Sequence, residues 1–165
     1  MGTYYIRKRY LIILAACFLF FTTAFLPAQT AVELEAILET QALSSGQAAY
    51  FVLASLNDSS TWSNEFAIAS SPEKAFELAM SNRWFRKGTT PDKKITLGTL
   101  SFLMMKAFGI KGGMMYSLLP GPHYSYRTMV SRSLIQGTAD PAMNVSGERF
   151  LLILGNVLDA VGVEQ

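Results

Sequence analysis

With 165 residues the chain is long enough for one domain with a true core. Its formal charge of +2 comes from Arg7, Lys8 and Arg9; without them 11 basic side chains stand against 12 acidic ones. No basic run longer than two occurs after residue 31, so the concentrated cationic footprint that nucleic acid requires is missing.

Residues 1–10 carry those three cations and no acid, and Leu11 to Leu26 is then an uncharged apolar run of 16, followed by Pro27-Ala28-Gln29. A basic segment, a short apolar core and a small residue describe a secretory signal peptide over residues 1–28. The run is shorter than the ~20 residues of a spanning helix; an uncleaved N-terminal membrane anchor over residues 11–26 is the competing reading. Cys17 is the only cysteine, and Leu14-Ala15-Ala16-Cys17 fits a bacterial lipobox. Phe18-Leu19-Phe20-Phe21 follows where small polar residues belong, so Cys17 reads as a small hydrophobe. The mature chain, residues 32–165, then has no cysteine and no disulfide despite an exporting address. That combination suggests a periplasmic or other bacterial cell-envelope protein.

The mature chain reads as all-α. Val32 to Gln41 is a short helix or helical lead-in. Ser44 or Ser45 caps the next helix, whose stripe is Ala49, Val52, Leu53 and Leu56 and which ends near Asn57-Asp58. Asn57 to Ser71 is a long serine-rich connection holding Trp62 and Phe66. Ser71-Pro72-Glu73 opens a helix with cap, first-turn proline and favourable charge; Ala75, Phe76, Ala79, Met80 and Trp84 form its apolar face and Gly88 stops it. After a turn at Thr89-Thr90-Pro91-Asp92, Thr96 caps a helix with Leu100, Leu103, Met104, Ala107 and Phe108 inward. Gly109, Gly112 and Gly113 end it. Met114 to Pro122 reads as an apolar loop, Tyr124 to Leu134 as helix, and Ala139-Asp140-Pro141 as a turn. Ser146 caps the last helix, with Phe150, Ile153, Leu154, Val157, Leu158 and Val161 as its stripe.

A phrase recurs at the openings of three of these helices. It reads Leu43-Ser44-Ser45-Gly46-Gln47, then Ile95-Thr96-Leu97-Gly98, then Val145-Ser146-Gly147-Glu148. Taking the hydroxyls at 45, 96 and 146, the steps are 51 and 50 residues. Arg83-Trp84-Phe85-Arg86-Lys87-Gly88 also aligns with Arg132-Ser133-Leu134-Ile135-Gln136-Gly137. A period near 50 implies one helix-pair unit used three times, the first unit being partial.

These phrases resemble S-layer homology repeats, in which a helix, a glycine-ended turn with Pro and Asp, and an Ile-Thr-Arg-Ala-Glu phrase opening a second helix form the unit. Arg83 to Ile110 and Arg132 to Gly162 carry the likeness, with a fragment at Leu43 to Leu56. The resemblance implies a pseudo-threefold helical domain whose grooves between units bind cell-wall polymers and anchor an exported protein. The chain departs from the motif where the family's arginine is Leu97 or Gly147 and its glutamate is Thr99 or Arg149. The likeness covers roughly residues 43–163, almost the whole expected mature chain, whereas such repeats usually accompany a larger payload.

The chemistry-bearing residues mostly have structural readings. His123 is the only histidine and sits at a loop-to-helix junction. Without cysteine, a zinc site would need mostly carboxylates, which is atypical. No Gly-x-Ser-x-Gly phrase accompanies it. Glu73, Glu77, Asp92, Asp140 and Glu148 fit cap, turn or first-turn roles rather than a glycosidase pair. Gly109-Ile110-Lys111-Gly112-Gly113 lacks the Lys-Ser or Lys-Thr of a phosphate loop. The ligand-binding candidates are Tyr116, Tyr124, Tyr126, Arg127 and Arg132, with Arg83, Trp84 and Arg86 one unit earlier; such aromatics and arginines stack on sugar rings and pair with carboxylates, or else form packing and a solvated face. The expectation is a non-catalytic envelope protein with no metal and no cofactor. It binds cell-wall glycan or peptidoglycan; the alternative is a small structural or adaptor subunit docking another envelope protein.

Overall fold

The computed structural model describes residues 35–57, 71–137 and 140–163. The signal or anchor segment, Cys17, Trp62 and Phe66 lie outside the described residues. The chain divides after Leu38. Ahead of that point residues 35–38 form a helical turn, and the unit from Glu39 onward carries the rest of the fold.

That unit is helical, with no strand among the described residues. Its helices are α1 (Ser45–Asn57), α2 (Pro72–Ser81), α3 (Leu97–Ala107), α4 (Met114–Leu118), α5 (Pro122–Ser131) and α6 (Gly147–Val163). Local chemistry accounts for most of their starts. The Ser44 and Gln47 side chains form a reciprocal capping box: the Gln47 N–H donates to Ser44 Oγ at 3.2 Å and the Ser44 N–H to Gln47 Oε1 at 3.0 Å. Ser71 Oγ accepts from the Lys74 N–H, with Pro72 behind it. Thr96 Oγ1 accepts from Thr99 and Ser146 Oγ from Arg149. Within the recurring phrase the capping hydroxyls are therefore at 44, 96 and 146. Ser44, not Ser45, matches Thr96 and Ser146, because Ser45 Oγ is turned away to donate to Lys93 O.

Three helices end in the same way. After α2, the Trp84 N–H reaches Ala79 O and the Arg83 N–H reaches Met80 O. After α5, the Leu134 N–H reaches Met129 O and the Ser133 N–H reaches Val130 O. After α3, the Ile110 N–H reaches Met105 O. The residue between helix and apolar follower is left-handed in each case: Arg83 at φ 59°, Ser133 at φ 59° and Gly109 at φ 64°. These are Schellman ends, and their followers Trp84, Leu134 and Ile110 are all buried. Gly88 thus lies beyond the end of α2, in the turn, rather than stopping the helix.

The segments before α1, α3 and α6 meet at the centre. The Leu43 N–H donates to Val145 O at 2.9 Å, the Ile95 N–H to Leu43 O at 2.9 Å, and the Val145 N–H to Ile95 O at 3.1 Å. The three bonds close a ring. All three side chains are at most 1% exposed, so apolar groups surround the ring and each backbone pair is satisfied inside the core. A second tier surrounds it: Ser45 to Lys93 O, Leu97 to Met143 O and Gly147 to Thr40 O, at 2.8–2.9 Å. Thr40 precedes Leu43 by three residues, whereas Lys93 and Met143 precede Ile95 and Val145 by two. The first segment therefore carries one extra residue, and isolated bridges form only at Ser44 with Lys94 and at Thr96 with Asn144.

α1 packs against α2, α3 against α5, and α1 against α3. α3 is buried without interruption from Leu100 to Met105, and Leu97, Gly98 and Ala107 are buried too, as expected for a helix enclosed on most sides. The other core positions follow the expected stripes: Ala49, Val52, Leu53 and Leu56 on α1, Ala75, Phe76 and Ala79 on α2, and Phe150, Ile153, Leu154 and Val157 on α6 are buried. Leu158 departs from its stripe at 39% exposed. Phe51 and Phe150, ring centroids 6.2 Å apart, join α1 to α6. Met114 to Pro122 is not wholly loop, since it contains α4, none of whose residues is buried.

Candidate functional site

Two glycine-lined contacts position the elements around the candidate residues. On α1, a Cβ at Gly46 would come within 3.2 Å of Pro72 O and 3.4 Å of Pro91 Cβ; on α3, one at Gly98 would lie 3.2 Å from Pro141 O and 3.4 Å from Pro122 Cβ. Pro72 and Pro122 are the first residues of α2 and α5. Each glycine thus lets a neighbouring helix start and a proline turn close onto it. The contact at Gly98 seats α5, which carries four of the candidate residues or adjoins them.

Around α5 the structure gathers a connected group. Arg132, directly after α5, donates from Nη2 to Lys111 O at 2.8 Å. A Cβ on neighbouring Gly112 would collide with the Tyr116 ring, so glycine there lets the tyrosine lie on the backbone. Tyr116 hydrogen-bonds with Ser125. Ser125 is buried and donates to Gly121 O at 2.9 Å. Partial burial raises the Tyr116 phenol above its ordinary value of 10.0, and the Ser125 bond offsets part of that shift. Arg86 arrives from the turn after α2, its Nη2 3.7 Å from where a Gly121 side chain would begin.

The remaining candidates are spread out. Arg83 is exposed and occupies the left-handed cap of α2. Trp84 is 5% exposed and belongs to the core at that helix end. Tyr124 and Tyr126 are half-buried and Arg127 is exposed. At 3.6 residues per turn the two tyrosines stand roughly 160° apart on α5, with Ser125 inward between them. They flank the helix on opposite sides and do not share one groove.

An open cavity of about 320 Å³ lies beside this group. Ile110, Leu134, Ala160 and Val161 line it, together with Arg132. Its wall joins the end of α3, the turn after α5 and the last turns of α6. Asn156 on α6 ties the wall together by donating from Nδ2 to Leu134 O at 3.1 Å. The size is at the lower end for a small-ligand site, and an apolar wall with one guanidinium suits a group carrying methyls beside a carboxylate. Of its lining only Arg132 stood out in the sequence. The other four are apolar residues from three separate segments: Leu134 belongs to the recurring phrase and Val161 to a core stripe, and neither role marks a cavity.

His123 is exposed and meets the Tyr124 ring edge-on at 5.4 Å. Glu73, Glu77, Asp92, Asp140 and Glu148 are exposed, and Asp140 Oδ1 accepts from the Ala142 N–H as a turn residue does. Among the described residues no group of three or more His, Cys, Asp or Glu side chains could hold a metal ion, and no helix is long and apolar enough to cross a membrane.

No protein-family model, no curated protein and no solved structure matches this chain.

Proposed function

We propose that this is a non-catalytic, exported bacterial envelope protein. In this reading three helix-pair units, arranged as in S-layer homology domains, bind a cell-wall glycan or peptidoglycan. The closed ring through Leu43, Ile95 and Val145 supports the three-unit arrangement, because three equivalent segments exchange equivalent bonds. The observation that carries the binding reading is Arg132 on the wall of a 320 Å³ cavity.

The family's motif arginine is not available to this ligand. Its positions are Ser45, Leu97 and Gly147, all buried, and a guanidinium placed there would lose its hydration without a partner. Recognition of an acidic group therefore falls to Arg132. The apolar remainder of the cavity favours N-acetyl and lactyl methyls beside a carboxylate, which is the chemistry of peptidoglycan, over a purely hydroxylated polymer.

The test is retention on isolated sacculi. Mature protein, residues 32–165, is pelleted with sacculi before and after secondary polymers are stripped. Retention that survives stripping supports peptidoglycan, and retention lost on stripping supports an attached polymer. No retention on either sinks wall binding. The second reading, an adaptor subunit, draws on the exposed Met114, Met115, Leu118 and Leu119; it predicts a co-purifying envelope protein and no retention on bare wall.

A further inference from the structure

The α4 region is an unusual surface. Met114 is 77% exposed, Leu118 68%, Leu119 60% and Met115 48%. Only Tyr116 of this short element turns inward, onto Gly112 and Ser125. Four large apolar side chains close together in sequence on one exposed protrusion are more than the scattered exposure usual on soluble proteins.

The sequence that flanks them is one-sided in charge. From Lys93 to Ala139 the sequence has six cations, Lys93, Lys94, Lys106, Lys111, Arg127 and Arg132, and no acid, although the chain has 12 acids elsewhere. Lys111 and Arg132 stand at the base of the protrusion, joined through the Lys111 carbonyl. Arg86 reaches Gly121 on its other side. Lys106 is exposed at the end of α3, its ammonium 5.7 Å from the Phe102 ring centroid.

We infer that the protrusion formed by Met114, Met115, Leu118 and Leu119 seats in the interface of an anionic phospholipid bilayer, with Lys106, Lys111 and Arg132 around it facing the headgroups. Apolar side chains that enter the headgroup–acyl boundary and cations that meet acidic lipid are the two halves of interfacial binding. A protein partner with an apolar docking face would satisfy the first half only, and the acid-free stretch favours lipid. The surface adjoins the Ile110–Val161 cavity, since Arg132 also lines that cavity, but lipid seating of the apolar residues goes beyond the wall-binding reading.

The test uses the full chain with Cys17→Ala and Leu118→Cys, labelled at 118 with an environment-sensitive fluorophore. A second protein carries the label at the exposed Ser81 on α2 through Ser81→Cys. Each is mixed with vesicles of phosphatidylcholine alone or with phosphatidylglycerol. The expected result is a shift of emission to shorter wavelength, quenched by spin-labelled acyl chains, at 118 only and with phosphatidylglycerol only. Lys106→Gln with Lys111→Gln should weaken the response by about fivefold per cation. A label at 118 that stays aqueous on both vesicles overturns the proposal and leaves the patch to a protein partner. Equal insertion in both vesicles overturns the role of the cations. The label at 81 separates insertion of the protrusion from any general approach to the vesicle through residues 11–26.

Discussion

At the scale of single residues, Arg83, a ligand-binding candidate in the sequence, acquires a backbone explanation that it shares with Ser133. Both hold φ at 59°, a conformation that costs a residue with a Cβ roughly 1–2 kcal/mol. Gly109 occupies the same place after α3 without that cost. Arg83→Gly and Ser133→Gly should each raise stability in urea by up to about 1 kcal/mol, the rest being offset by glycine's backbone entropy. Loss of stability in both would mean that their side chains hold the helix ends. Tyr116 supports a pH prediction. Its phenol is raised by burial in the fold, so the folded state keeps its proton longer than the unfolded chain. The associated stability is complete below the unfolded value near 10 and is lost as pH rises through the folded value. Thermal midpoints measured from pH 8 to 11 should fall more steeply for the wild type than for Tyr116→Phe above pH 10; parallel curves would contradict the assignment.

At the scale of elements, helix starts were the most legible part of the sequence. Ser71-Pro72, Thr96 and Ser146 all cap where their chemistry says they should, since each is a local matter of one hydroxyl and one N–H. The first cap was ambiguous because Ser44 and Ser45 are both hydroxyls, and only the distant Lys93 carbonyl, which takes the second, decides between them. Helix ends were less legible: Gly88 looked like the stop of α2, but a non-glycine residue at 83 takes the left-handed position first. α4 was not legible at all, because five residues flanked by glycines and prolines carry no period. The packing glycines are testable. Gly98→Leu should destabilise by about 1–3 kcal/mol or more through overpacking against Pro122 and Pro141. The corresponding residue before α6's first turn is completed is Glu148, which is exposed, and Glu148→Ala should change stability by no more than about 0.5 kcal/mol. Equal effects, read from urea midpoints, would mean that α5 is not seated through Gly98.

At the scale of the whole molecule, the spacing of the three phrases foreshadowed the ring through Leu43, Ile95 and Val145, although the true steps are 52 and 50 residues. The spacing is legible because the caps at Ser44, Thr96 and Ser146 rest on the same local hydroxyl-to-N–H chemistry. The cavity was not legible, because Ile110, Leu134, Ala160 and Val161 come from separate segments and have no polar signature. Its one marked residue, Arg132, belongs to a tyrosine–arginine cluster in the sequence that the geometry of α5 partly disperses. The proposal therefore rests on a cavity rather than on a motif, and the most direct measurement locates the ligand on the protein. Backbone amide spectra of isotopically labelled protein, residues 32–165, would be recorded while soluble peptidoglycan fragments are added. The account predicts saturable shifts at Ile110, Arg132, Leu134 and Val161, lost in Arg132→Ala without a change in fold. Shifts confined to another face, or none at concentrations where sacculi retain the protein, would contradict it.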